Sequence, residues 1–122
     1  LVLVGVERGD GAAEADRLAE RLATYRVFPD AAGRMNRSLR DGGGELLLVP
    51  QFTLAADTSS GTRPGFEPAA PPAVAEPLFG HLATACARLG VPPRLGVFGA
   101  DMQVGLVNHG PVTFWLRTSA KA

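Results

Sequence analysis

Gly42-Gly43-Gly44-Glu45-Leu46-Leu47-Leu48-Val49-Pro50-Gln51-Phe52-Thr53-Leu54 is the stretch on which the reading of this chain turns. Three glycines make a flexible turn. They deliver a run of apolar residues that is too short for a helix and reads as a buried β-strand. Polar residues enter at Gln51 and Thr53. On residue type alone this is the end of the strand, with Phe52 and Leu54 in the core and Thr53 on the opposite side.

Upstream of this run, Leu1 to Val6 is a second short apolar segment, ended by Glu7-Arg8-Gly9-Asp10-Gly11, and reads as another buried strand. It opens without a preceding turn or cap, and we read the sequence as incomplete at its N-terminus. A helix is expected from about Ala13 to Tyr25, capped near Asp10 or Gly11, with Leu18, Leu22 and Tyr25 on one stripe and Glu14 and Arg17 on the wet side. Phe28 to Gly33 has turn chemistry and leads into a short strand at about Met35 to Leu39.

Downstream, Thr58 to Pro64 reads as an exposed loop, and the prolines between Pro68 and Pro72 lead into a helix running to about Leu89. Leu78, Leu82, Ala85, Cys86 and Leu89 form its inner face. Pro77 either sits in the first turns or kinks the helix. From Leu95 to Thr118 the pattern becomes β: Met102, Val104 and Leu106 alternate with their neighbours, and Val112 to Leu116 reads as the return strand after a turn at Asn108-His109-Gly110-Pro111. The expectation is one α+β domain, a mainly antiparallel sheet or barrel flanked by two helices.

Composition narrows the classes of function. The 122 residues, 46% apolar and 20% charged, fit one soluble globular domain. Neither apolar run is long enough to cross a membrane as a helix, and no signal peptide is visible. Twelve basic residues balance twelve acidic ones, which argues against gripping long nucleic acid by charge but leaves room for holding the end of an RNA. The lone Cys86 precludes an internal disulfide, and on an apolar helix face it reads as a packed, inert thiol. His81 and His109 have no partners at ligand spacing, and no phosphate loop, dinucleotide fingerprint or serine elbow is present, so no metal and no cofactor is indicated.

Four segments, in order, say more: Val49-Pro50-Gln51-Phe52-Thr53-Leu54; Gly61-Thr62-Arg63-Pro64-Gly65-Phe66; Phe98-Gly99-Ala100-Asp101-Met102-Gln103-Val104; and Asn108-His109-Gly110-Pro111-Val112-Thr113-Phe114. Taken together they resemble the D-aminoacyl-tRNA deacylase family, and the likeness runs over essentially the whole chain.

The resemblance implies a cytoplasmic homodimer with active sites at the subunit interface, acting on aminoacyl-tRNA at its 3′-terminal adenosine. The reaction is hydrolysis of D-aminoacyl-tRNA, and of glycyl-tRNA mischarged on tRNA-Ala. It implies a cis bond between Gly110 and Pro111, whose carbonyls enter the partner's pocket and exclude an L side chain while a D side chain points outward. Gln51, Phe52 and Thr53 become the catalytic segment, with N–H groups near Phe52 and Thr53 as an oxyanion hole. Thr53 has no base near it in sequence, and the family is described as using the tRNA's terminal 2′-hydroxyl, so Thr53 and Gln51 are read as positioning groups. Phe98, Ala100 and Met102 would help form the adenosine pocket and Arg63 would meet a phosphate. Asn108 and Thr113 complete the substrate-binding set.

Two departures stand out. Pro50 occupies a place where the family commonly has serine, and the family's opening hairpin, which would precede Leu1, is absent. Two alternatives stay open at this stage: a relative that removes a mischarged L-amino acid, and an inactive RNA-binding module of the same fold.

Overall fold

The apolar run at the centre of the sequence is the centre of the sheet. In a computed structural model that describes residues 1–119, β1 (Val2–Val4) and β5 (Pro93–Leu95) lie on either side of β4 (Leu46–Pro50). Both pairings are parallel, with Val2 opposite Leu48 and Leu46 opposite Pro93. Leu46 and Leu48 are buried on one face of β4, Leu47 is partly exposed on the other, and Val49 is buried beyond it.

Parallel neighbours need a crossover between them, and helices supply it. Helix α1 (Ala12–Thr24) follows β1, and α3 (Pro72–Arg88) joins β4 to β5. The two helices pack together, and the fully buried Ala19 and Ala23 let them approach closely. Phe79, Leu82 and Cys86 of α3 close the core against Val4, Leu46 and Leu48. Burial pushes the Cys86 thiol up to about 11, so it is an un-ionised packing group at neutral pH. Proline opens α3 at its first position, and Pro77 lies inside the helix on its exposed side.

The remaining pair is the antiparallel hairpin of β2 (Arg26–Pro29) and β3 (Met35–Ser38). Asp30 builds its tip, accepting from the N–H groups of Ala32 and Arg34 and from the Asn36 amide, each at 2.9 Å. The Asn36 amide first, then the backbone N–H groups, hold its carboxyl below the ordinary carboxylate range. Strand β3 runs into α2 (Leu39–Gly42), which Ser38 and Asp41 cap reciprocally at 3.1 and 3.0 Å and Gly43 ends at φ 66°.

Three expectations change. The sheet is not mainly antiparallel, and the described residues close no barrel: the three-stranded sheet is parallel throughout, and among the strand pairs the hairpin alone is antiparallel. The reason lies in the connections, since α1 is part of the crossover from β1 to β4 and α3 of the one from β4 to β5, and each crossover returns the chain to start the next strand of that sheet in the same direction. Among the described residues there are three α-helices rather than two. Residues 96 to 119 contain no strand among the described residues, although their alternation reads as one. Alternation shows that a segment is able to pair; a ladder also needs a neighbouring edge to take its hydrogen bonds. Instead the segment is tied to α1, through Thr118 to the Glu14 carbonyl and Arg21 to the Arg117 carbonyl, and to the loop after β1, through Arg117 to Glu7 at 2.8 Å. Val107, Phe114 and Trp115 stay exposed along it.

No described helix is long and apolar enough to cross a membrane, and no three described His, Cys, Asp or Glu side chains come together as a metal site.

Candidate active site

In open sheets with helical crossovers, ligands bind beyond the carboxyl ends of parallel strands. Here all three ends converge. The chain leaves β1 through Gly5 and Val6, β4 through Gln51 and Phe52, and β5 through Gly96 to Phe98, and of these Val6, Gln51, Phe52 and Phe98 border two adjoining clefts.

Phe52–Ala55 forms a 3-10 turn directly after β4, where Phe52 and Leu54 were expected to enter the core. Phe52 is instead 57% exposed, so this correction changes its role from packing to lining. Gln51 N–H is held by the Val4 carbonyl at 2.7 Å, and its own carbonyl accepts from Leu54 N–H at 3.1 Å. The N–H groups of Phe52 and Thr53 come before the first bond of the turn, as orphan donors do at a helix start. The Gln51 side-chain amide donates to the Thr53 hydroxyl. Among the described residues the hydrogen-bond partner of that hydroxyl is an amide rather than the carboxylate or imidazole that would activate a nucleophile.

Gly5 allows this turn to sit where it does. A Cβ added there would lie 3.1 Å from Leu54 Cβ and 3.3 Å from the Gln51 carbonyl oxygen. Gly96 plays the same part across the site: its added Cβ would meet Met102 Sδ at 3.1 Å and Pro50 Cδ at 3.2 Å.

The smaller cleft, about 240 Å³, is bordered by Val49 to Phe52, Gly99 to Met102, and Val104. Among the described residues Asp101 is the one ionisable group in its lining. The larger cavity, about 390 Å³, is apolar and shares Pro50, Gln51, Phe52 and Gly99 with the smaller one. Aromatic pairs border it: Phe52 with Phe66 at 5.2 Å between ring centres, and Phe79 with Phe98 at 6.5 Å. Phe66 reaches Phe52 because Asp57 and Gly65 exchange backbone bonds of 2.7 and 2.9 Å, pinching off the loop between them.

The structure therefore brings together Gln51, Phe52, Ala100 and Met102 around the smaller cleft, with Thr53 on the adjoining turn. Phe98 belongs to the larger cavity, not to the same lining as Ala100 and Met102. Arg63 stands on the exposed, pinched-off loop and lines neither cleft. Asn108, Gly110, Pro111 and Thr113 are exposed and also line neither, and the Gly110–Pro111 peptide bond is cis. Sequence reasoning passed over the larger cavity, with Val6, Arg8, Phe66 and Phe79 in its wall. The Gly65-Phe66 end of one quoted motif was the available signal; nothing in residue order marks Arg8.

Comparison with known proteins sets the class. The family described as D-Tyr-tRNA(Tyr) deacylase matches residues 1–117. A D-aminoacyl-tRNA deacylase of Xanthomonas axonopodis pv. citri (strain 306) is 65% identical over 120 residues, 96% of this chain and 81% of the relative. That of Alkalilimnicola ehrlichii is 59% identical over 122 residues, 100% of this chain and 81% of the relative. Among solved structures, the c-Myc DNA Unwinding Element Binding Protein superposes with a TM-score of 0.89 at 32% identity, covering 97% of this chain and 80% of that one. A probable eukaryotic D-amino acid tRNA deacylase shares the fold, with a TM-score of 0.58 at 14% identity over 87% of this chain and 66% of that one. A parallel sheet with its clefts at the carboxyl strand ends here belongs to a hydrolase acting on ester bonds. The chain is a member of the D-Tyr-tRNA(Tyr) deacylase family.

Proposed function

We propose that this protein hydrolyses the ester joining a D-amino acid to the 3′-terminal adenosine of tRNA, releasing the free D-amino acid and the tRNA. The observation that carries the reading is the meeting of two clefts at the Gln51-to-Thr53 turn, in a chain of this family. The apolar cavity suits a base, because aromatic walls such as Phe98 and Phe66 offer stacking surfaces that every base can use. Because Ala100 and Met102 line the smaller cleft and not Phe98's, they are reassigned from the adenosine to the aminoacyl ester, which that cleft then takes. The carbonyl oxygen is set against the N–H groups of Phe52 and Thr53, donors typically worth about 3–4 kcal/mol each to the tetrahedral intermediate.

Water attacks the ester carbonyl, the acyl–oxygen bond breaks, and the ribose 3′-oxygen leaves with a proton. The tRNA's own 2′-hydroxyl assists that transfer, and Gln51 and Thr53 hold the ester rather than attack it. Arg63, Asn108 and Thr113 contact the rest of the acceptor end. The neutral net charge fits a protein that holds only that end.

Chiral selection falls to Gly110 and Pro111, acting on the other subunit of a cytoplasmic homodimer. Both lie outside the clefts of their own chain, and the neighbouring Val107, Phe114 and Trp115 expose apolar surface of the kind that subunits bury. Glycyl-tRNA mischarged on tRNA-Ala passes the same filter, having no side chain to clash.

The test follows ester loss from D-tyrosyl-tRNA and L-tyrosyl-tRNA. The D-ester is expected to be hydrolysed at least a hundredfold faster. Equal rates would remove the chiral reading, preference for the L-ester would point to the L-specific relative, and no activity on either would leave a binding module. Thr53→Ala is expected to keep kcat/KM within about tenfold of the parent, the loss of one exposed hydrogen bond. Complete inactivity of a folded Thr53→Ala protein would show that its hydroxyl does the chemistry.

A further inference from the structure

The larger cavity carries one charge. Among the described residues Arg8 is the only ionisable one in its lining, and every other group they place in the wall is apolar or backbone apart from the Gln51 amide. The side chain is anchored: Nε donates to the Glu67 carbonyl at 2.6 Å, and the Arg8 N–H donates to the Pro68 carbonyl at 2.9 Å. A bridge between Glu7 and Ala69 fixes the same stretch of backbone. With Nε occupied, the two terminal nitrogens have no protein partner among the described residues. Nor is the charge cancelled by its neighbour, because the Glu7 carboxylate pairs with Arg117 at 2.8 Å.

A guanidinium stays charged at any working pH and presents its remaining donors in a fixed fork that matches phosphate oxygens. Set beside an aromatic-walled cavity, it suits a ligand with a flat apolar body and one adjacent anion. We infer that Arg8 binds the 5′-phosphate of the terminal adenosine, which sets how far the base enters the larger cavity and so where the ester lies over the Phe52–Thr53 turn. The inference rests on the deacylase reading above. Phosphate contacts fix register rather than sequence, so Arg8 serves any tRNA with the common end.

Three substrates isolate the contact: D-tyrosyl-tRNA, 3′-O-D-tyrosyl-adenosine 5′-monophosphate, and the same ester of unphosphorylated adenosine. Arg8→Ala is expected to raise KM about five- to tenfold on the two phosphate-bearing substrates with kcat nearly unchanged, since uniform binding is what it removes. KM for the unphosphorylated ester stays at the parent value. Arg8→Lys, which keeps the charge, recovers part of the loss. An equal loss on all three substrates, or a lower kcat with a lower unfolding midpoint, would make Arg8 a strut for residues 67 and 68 and overturn the inference. Unchanged KM on the phosphorylated pair overturns it as well. If the parent protein cleaves none of the three, the deacylase reading itself fails, an outcome distinct from a failure of Arg8.

Discussion

Gly5→Val is expected to lower kcat/KM on D-tyrosyl-tRNA at least a hundredfold while the far-ultraviolet circular dichroism stays that of the parent. Gly5 follows β1 and lies under the 3-10 turn that presents Phe52 and Thr53. Even an alanine Cβ would sit 3.1 Å from Leu54 Cβ, 3.3 Å from the Gln51 carbonyl oxygen and 3.5 Å from Ala55 N. All three contacts are main chain or the first atom of a side chain, so no flexible end is there to swing aside. The two γ-methyls of valine enlarge the conflict, and the turn must lift. A misplacement of about 1 Å at reacting groups costs on the order of a hundredfold in rate, because pre-organised donors lose their aim. Gly5→Ala grades the effect, with an expected loss of about tenfold. The measurement is single-turnover hydrolysis beside thermal unfolding. A Gly5→Val protein with parent activity would show that the turn is free to move without cost, and the N–H groups of Phe52 and Thr53 would no longer serve as the oxyanion hole.

Gly5 also shows where the sequence is legible and where it is not. The apolar run Leu46 to Val49, the helix expected from about Ala13 to Tyr25, and the end of the next helix at about Leu89 are all marked by periodicity and punctuation, and the structure has them within a residue or so. The direction of strand pairing is not marked in that way. It follows from the placing of each helix between two strands, and the antiparallel expectation gave the alternation after Leu95 more weight than those crossovers. The turn at Phe52 misled for a related reason: an aromatic next to a buried strand reads as core, yet Gly5 and Gln51 bend the chain outward there.

Within the site, Gln51, Phe52, Ala100 and Met102 were reached through the family's motifs, not through their chemistry, since none of them titrates. Arg8 and Phe79 were out of reach because a cavity wall gathers residues from four separate segments. Only the folded chain shows that the one charge among them has no ion-pair partner among the described residues.

Gly110→Ala is expected to collapse the ratio of D- to L-tyrosyl-tRNA hydrolysis by at least tenfold with the unfolding midpoint within about 2 °C of the parent, as for other surface substitutions. An added Cβ would lie 2.6 Å from Val112 N, a distance that real side chains do not adopt, so the turn has to change shape. The change stays local, because Gly110, Pro111 and Thr113 are exposed and belong neither to the core nor to either cleft of their own chain. On the proposed mechanism the Gly110 and Pro111 carbonyls reject L side chains in the partner's site, so a distorted turn affects selection more than hydrolysis. Rejection is a difference between two affinities, and losing the repulsive element raises the disfavoured rate without requiring any loss in the favoured one. The L-ester rate should therefore rise while the D-ester rate changes less. A mixed dimer sharpens the test: subunits carrying Gly110→Ala, paired with subunits inactivated by Gly5→Val, place the altered turn against a dead site and the intact turn against the live one. Such a dimer should hydrolyse the D-ester and still refuse the L-ester. Acceptance of the L-ester there would mean that the turn acts on its own chain, and the cross-subunit filter would be wrong.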